Sequence, residues 1–116
     1  MTDNLIYKIC TAAEWAEAER QGQFTGSAVD LADGFIHFST AQQLTETARR
    51  HFAGRSGLVL VAVDTQKLPS ELRWEKSRGG DMFPHLYAPL PTSAATEVTP
   101  LPLDNSGMHN FPDLLR

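Results

Sequence analysis

The chain has 116 residues, 41% of them hydrophobic and 21% charged, which suits one globular core, so we expect a single domain over 1–116 with a polar C-terminal tail at 104–116. The net charge of −4 and the scattered basic residues argue against a basic nucleic-acid-binding surface. One cysteine, no signal pattern and no apolar run of about 20 residues exclude an intrachain disulfide and predict a cytoplasmic protein without a membrane partner.

The first predicted elements are a strand and a helix. The short run Leu5–Cys10 mixes β-branched, aromatic and polar residues, as a strand does. Thr11 precedes Glu14 by three residues, the spacing of a capping box, so a helix is predicted to start there. Gly22 offers the left-handed conformation that commonly ends a helix.

A loop and a second strand–helix pair follow. Residues 23–34 show no periodicity and predict a long loop. The next segment, Gly34–Thr40, alternates so that His37 and Ser39 share one face of a strand. Thr40 with Gln43 repeats the capping-box spacing, and apolar residues at every fourth position predict a second helix that stops at Gly54.

The second half of the chain predicts strands. Leu58–Val63 is apolar on both faces and short, which indicates a buried central strand. Arg73–Ser77 and Met82–Tyr87 flank a glycine-containing turn and predict a hairpin, and Thr96–Thr99 predicts a final strand. Strands and helices in this order indicate the α+β class.

The passage from His37 to Thr40 is the first candidate site. Free amides at the start of a helix attract anions, so a phosphate or carboxylate is expected at residues 41–43, with Ser39 and Thr40 as further donors. The alternative is that Thr40 only caps its helix and Ser39 only packs.

The predicted hairpin carries the second candidate site. An aromatic environment beside Trp74 would raise the pKa of the Glu75 carboxyl and suit general acid or base chemistry. His85 and Tyr87 face the same side of their strand and can hydrogen-bond a ligand. The alternatives are a solvated glutamate and ordinary amphipathic strand residues.

Several kinds of site are not expected. The histidines lack the spacing of a local metal pair, so no metal is predicted. The glycine patterns of a hydrolase elbow, a phosphate loop and a dinucleotide-binding fingerprint are missing from the sequence.

Several segments together resemble a bacterial family, domain of unknown function 952. They comprise IYKIC from Ile6, DGFIHFST from Asp33, Gln43, the pair Trp74–Glu75, and FPHLYAPL from Phe83. The family's structural relatives have the ADP-ribosylation fold, so the resemblance implies a mixed split β-sheet with two main helices. His37 with Ser39 is similar to the His-x-Ser strand of RNA 2′-phosphotransferases.

The resemblance implies a cleft for a nucleotide or other small molecule, with NAD as the candidate cofactor. His37 and Glu75 are the implied catalytic residues, and the implied substrate-binding residues are Tyr7, Ser39, Thr40, His85 and Tyr87. Tyr7 and Lys8 stand where ADP-ribosyltransferases place a histidine or an arginine. Two functions stay open: a transferase, and a non-catalytic ligand-binding module on the same fold.

Overall fold

A computed structural model describes residues 4–111, the side chain of Arg78 excepted. Within this range the helices are α1 Ala12–Gln21, α2 Ala28–Asp33 and α3 Leu44–His51. The strands are β1 Leu5–Thr11, β2 Gln23–Phe24, β3 Ile36–His37, β4 Leu58–Asp64, β5 Leu72–Lys76, β6 Met82–Leu86, β7 Leu90–Pro91 and β8 Ala95–Leu101. The fold is a small α+β arrangement, as the order of predicted elements indicated.

The strands form antiparallel sheets. One three-stranded sheet has the order β1-β4-β8, a second has the order β3-β6-β5, and β2 pairs with β7. The two larger sheets meet where Tyr7 and Ser39 exchange backbone hydrogen bonds of 2.8 and 2.9 Å. The chain therefore leaves the second sheet after His37 and touches the first sheet two residues later.

The core lies on both sides of β4, the central strand of the first sheet. Val61 and Val63 pack with α1 and the second sheet, while Leu58 and Leu60 pack with Leu44 and Ala48 of α3. Burial on both faces confirms the predicted central strand, whose apolar residues leave no polar face for solvent.

Local signals placed two elements correctly. The Thr11 hydroxyl accepts the Glu14 amide at 3.0 Å, the Glu14 carboxylate accepts the Thr11 amide at 2.9 Å, and Gly22 ends α1 at φ +81°. The predicted hairpin is confirmed, because β5 pairs with β6.

Other predictions need correction. The predicted loop at 23–34 contains β2 and a third helix, α2, which starts where the Ser27 amide donates to the Asp30 carboxylate at 2.9 Å. The predicted second helix begins with a turn of 3-10 helix at Ala41–Gln43 before α3. The final strand is longer than predicted because β8 follows β4 over most of its length.

The described part of the tail folds back on the chain. Leu103 pairs with His109, and Phe111 packs against the cluster that contains Leu44. Residues 112–116 of the predicted tail lie outside the described residues. Across residues 4–111, every helix is too short or too polar to span a lipid bilayer.

Candidate functional site

A cleft of about 570 Å³ lies where the two larger sheets meet. Its walls come from β1, α2, the segment around β3, the end of α3 and the β5–β6 hairpin. Its volume is in the range of small-molecule sites. The polar residues on its walls include Tyr7, Lys8, Glu14, Asp33, His37, Ser39, Thr47, His51, Arg55, Ser77 and His85.

The cleft brings together four of the predicted site residues. Tyr7, His37, Ser39 and His85 line it, although 78 residues separate the first from the last. The other three lie elsewhere, since Thr40, Glu75 and Tyr87 are absent from its walls. Glu75 nevertheless contacts His85, and Tyr87 contacts Glu75, so both adjoin the site through the Glu75–His85 pair.

His37 is held between two carboxylates of α2. Its Nδ1 lies 2.6 Å from Asp30 Oδ1, and its Nε2 lies 2.9 Å from Asp33 Oδ2. A carboxylate only accepts, so both ring nitrogens donate only in the imidazolium form. Both ring nitrogens of His37, the side chain that the sequence suggested for catalysis, are therefore already engaged by carboxylates of the protein.

Behind His37 lies a buried ion pair that the sequence analysis missed. Lys8 Nζ is 2.8 Å from Asp30 Oδ2, and the two side chains are only 5% and 1% exposed. Burial raises the pKa of the Asp30 carboxyl, but hydrogen bonds from His37 and Lys8 and the charge of Lys8 outweigh it and hold that pKa well below its usual range.

A sequence signal for this ion pair existed. Lys8 alternates with Ile6 and Cys10 on one face of a strand whose other face is also apolar, so a buried cation required an acid from elsewhere in the chain. Ser27 and Asp30 have capping spacing, which marks the helix that supplies this acid.

Glu75, His85 and Tyr87 form a second cluster on the β5–β6 hairpin. Glu75 Oε1 lies 2.8 Å from His85 Nδ1 and accepts the Tyr87 hydroxyl at 2.7 Å. These two hydrogen bonds lower the pKa of the Glu75 carboxyl, and the same bond to Glu75 raises the pKa of the Tyr87 phenol.

The predicted environment of Glu75 is wrong. Trp74 pairs with Pro84 and Glu75 pairs with Phe83, so the two neighbours point to opposite faces of β5. Trp74 is 46% exposed and does not line a pocket for the carboxylate. Donors from β6 and the residue after it therefore control the pKa of Glu75, in the direction opposite to the expected one.

Phe35 covers the ring of His85, a contact that sequence analysis did not identify. The Phe35 ring stacks on His85 at a centroid distance of 4.2 Å and also contacts His37 at 4.5 Å and Tyr87 at 5.1 Å. Its place in the strand pattern, two residues before His37, was the available signal. The stacked Phe35 ring restricts the orientation of the His85 ring and adds apolar contact to it.

The two predicted hydroxyl donors have different surroundings. Ser39 is buried against Thr47, with their oxygens 3.0 Å apart, and lines the cleft. Thr40 belongs to the start of the 3-10 turn, where its amide donates to Gln43 Oε1 at 3.0 Å. The capping alternative therefore describes Thr40.

The remaining residues of β1 supply a low-reactivity wall. Burial, and then the Glu97 carboxylate, raise the pKa of the Tyr7 phenol. Burial raises the pKa of the Cys10 thiol to about 12, so this cysteine carries little thiolate at neutral pH. In the part of the chain that the structure describes, the histidine, cysteine and carboxylate side chains form no cluster suited to a metal ion.

Comparison with known proteins shows the family but gives no function. Residues 9–98 match the family described as a protein of unknown function, DUF952. The crystal structure of protein CC0527 from Caulobacter crescentus is 53% identical, with a TM-score of 0.91 and coverage of 96% of this chain and 97% of that chain. Its solution structure is 55% identical, with a TM-score of 0.81 and coverage of 93% and 91%. No curated protein matches this sequence. The chain therefore belongs to the DUF952 family of proteins of unknown function.

Proposed function

We propose that the cleft binds a nucleotide or a small molecule of similar size that carries an anionic group. The observation that carries this proposal is a cleft of about 570 Å³ whose walls combine imidazole and hydroxyl groups with aromatic rings and an arginine. A few polar groups among apolar walls are typical of ligand sites, because the apolar surface binds and the polar groups orient the ligand.

The charges on the walls favour an anionic ligand. The acids are already engaged, since Glu14 accepts the Thr11 amide and Asp33 contacts His37. Lys8 is paired with Asp30. Among the described residues no carboxylate pairs with Arg55, whose guanidinium lies 5.2 Å from the Phe52 ring centroid. An arginine beside an aromatic ring suits a phosphate attached to a planar base.

A titration followed by two-dimensional NMR tests the proposal. AMP, ADP-ribose, NAD and inorganic phosphate are added in turn to the labelled protein, and shifts of the Tyr7, Ser39 and Arg55 amides are expected with a nucleotide. Arg55→Gln should weaken binding about tenfold, because a charge-assisted hydrogen bond is lost. Arg20→Gln on α1 is the matched control and should bind like the wild type. The absence of cleft shifts with all four probes contradicts the proposal.

A transferase is the second candidate, favoured by the position of Glu75 next to the cleft residue His85. Two antiparallel sheets around a cleft are consistent with the ADP-ribosylation fold, in which a glutamate orients the ribose of NAD. Cleavage of NAD develops positive charge on the ribose, and a fixed carboxylate stabilises such charge. Glu75 is 37% exposed, which leaves it open to a ligand that extends past His85.

Incubation with NAD distinguishes the two candidates. Nicotinamide release by the wild type, lost in Glu75→Gln, supports a transferase, whereas NAD binding without release supports a non-catalytic binding module. An isothermal titration on the same samples measures binding separately from turnover. If the protein neither binds NAD nor releases nicotinamide from it, the transferase proposal is contradicted.

A further inference from the structure

His85 differs from His37 because one of its ring nitrogens is engaged and the other is open. Its side chain is 7% exposed, with Nδ1 at 2.8 Å from Glu75 Oε1. Nε2 has no hydrogen-bond partner among the described residues, and the described structure contains no sealed side-chain nitrogen or oxygen without a partner. Nε2 therefore lies at the surface of the cleft that His85 lines.

The partner of Nδ1 determines which nitrogen carries the proton. The lowered pKa of Glu75 leaves its carboxylate ionised at neutral pH, and a carboxylate only accepts, so Nδ1 is the donor. In a neutral imidazole, a proton on Nδ1 leaves the lone pair on Nε2. The same Glu75 oxygen accepts the Tyr87 hydroxyl, which holds the carboxylate in place.

Packing keeps the ring in this orientation. Phe35 stacks on His85 with an interplanar angle of 29°, and the two strands that carry His85 and Glu75 are hydrogen-bonded to each other. A buried ring fixed by stacking and by one hydrogen bond loses little freedom when its second nitrogen binds a ligand.

We propose that His85 Nε2 accepts a proton from a hydroxyl or a protonated nitrogen of the molecule bound in the cleft. The ligand O–H or N–H bond breaks, its electron pair stays on the ligand atom, and the new imidazolium is stabilised by Glu75. Glu75 and Tyr87 act through His85 and are positioning residues. The inference rests on the proposed function in that it requires a ligand in the cleft.

Long-range nitrogen–proton NMR of the ligand-free protein at pH 8 tests the orientation of His85 without any ligand. The spectrum is expected to show the tautomer with the proton on Nδ1. Glu75→Ala should shift His85 toward the tautomer with the proton on Nε2. Glu71→Ala, which removes an exposed carboxylate beside the same hairpin, is the matched control and should leave the tautomer unchanged. A wild-type proton on Nε2, or a tautomer insensitive to Glu75→Ala, overturns the proposal.

A second arm adds AMP to the same sample. The Nε2 resonance of His85 is expected to shift while Nδ1 keeps its proton, and an unmoved Nε2 in a protein whose Ser39 amide responds to AMP overturns the proposal. If AMP shifts no resonance of the cleft, that result counts against the proposed nucleotide site. In that case the tautomer measured in the ligand-free protein still tests whether Nδ1 of His85 carries the proton and Nε2 the lone pair.

Discussion

His37 and His85 face each other across β3 and β6, and their surroundings differ in one decisive respect. Their rings lie 5.6 Å apart, and each has a carboxylate at hydrogen-bond distance from Nδ1. The second nitrogen of His37 meets another carboxylate, Asp33, while that of His85 lies at the cleft. We call the group of His37, Asp30, Asp33 and Lys8 the closed network, because both ring nitrogens of its histidine have partners. We call the group of His85, Glu75 and Tyr87 the open network, because Nε2 of its histidine faces the cleft.

The closed network links three elements, and the open one stays within a hairpin. Asp30 of α2 contacts Lys8 of β1 and His37 of β3, and its side chain is 1% exposed. Glu75 is more than a third exposed and contacts only its own hairpin and the residue after it among the described residues. We therefore expect that breaking the closed network will destabilise the protein, and we propose the open one as the better placed to contact a ligand.

The largest expected effect comes from Asp30→Asn. The change leaves the Lys8 charge buried without its counter-ion, so the free energy of unfolding should fall by about 3 to 5 kcal/mol in urea denaturation. Asp33→Asn is the matched control, because its side chain is 48% exposed and should lose less than about 1 kcal/mol. Equal small losses in both variants would show that the buried pair does not matter for stability.

His37→Ala should have the next largest effect. It removes a hydrogen-bond partner from a buried carboxylate, which should lower the free energy of unfolding by about 1 to 3 kcal/mol. His109→Ala removes a histidine whose Nε2 contacts the exposed Arg55 carbonyl at 2.9 Å and serves as the control. If the His37 variant unfolds at the same urea concentration as the wild type, the closed network does not depend on this residue.

The pH dependence of the stability that Asp30 contributes gives a further test of the closed network. Its folded pKa lies below its unfolded value, so its stabilising contribution is present above the ordinary aspartate pKa of about 3.9 and is lost as the pH falls below it. The loss is at most about 1.4 kcal/mol per pH unit for one proton. Carbon NMR of the Asp30 carboxyl should show no titration while the protein stays folded. A normal titration near pH 4 would contradict this.

The smallest effect is expected from Tyr87→Phe. Loss of the phenol donor should raise the pKa of Glu75 toward its ordinary value, while the bond from His85 keeps it below that value. Carbon NMR of the Glu75 carboxyl measures the change, and the melting temperature should match that of the wild type because the phenol is exposed. An unchanged pKa of Glu75 would mean that the Tyr87 bond is not formed in solution.

The sequence predicted the elements whose causes are local. Thr11 with Glu14 starts α1 because a hydroxyl and a carboxylate three residues apart satisfy amides of the same turn. The central strand was predictable because continuous apolar residues have only the core to occupy. Of the candidate site, the sequence paired His37 with Ser39 and His85 with Tyr87. His37, Ser39 and His85 line the cleft, whereas Tyr87 lies after β6 and contacts Glu75.

The tertiary structure decided what depends on distant residues. Lys8 and Asp30 are 22 positions apart, and only the packing of α2 against β1 makes their charges a buried pair. The pKa of Glu75 is set by donors from the facing strand and not by Trp74, which alternation directs to the other face. The sequence by itself determined which side chains were available and where locally specified elements such as α1 and the central strand β4 lie. Long-range packing decided that His37 has a carboxylate at both ring nitrogens while His85 has one at Nδ1 only. The reason is that these carboxylates come from residues that only the fold brings near the two rings.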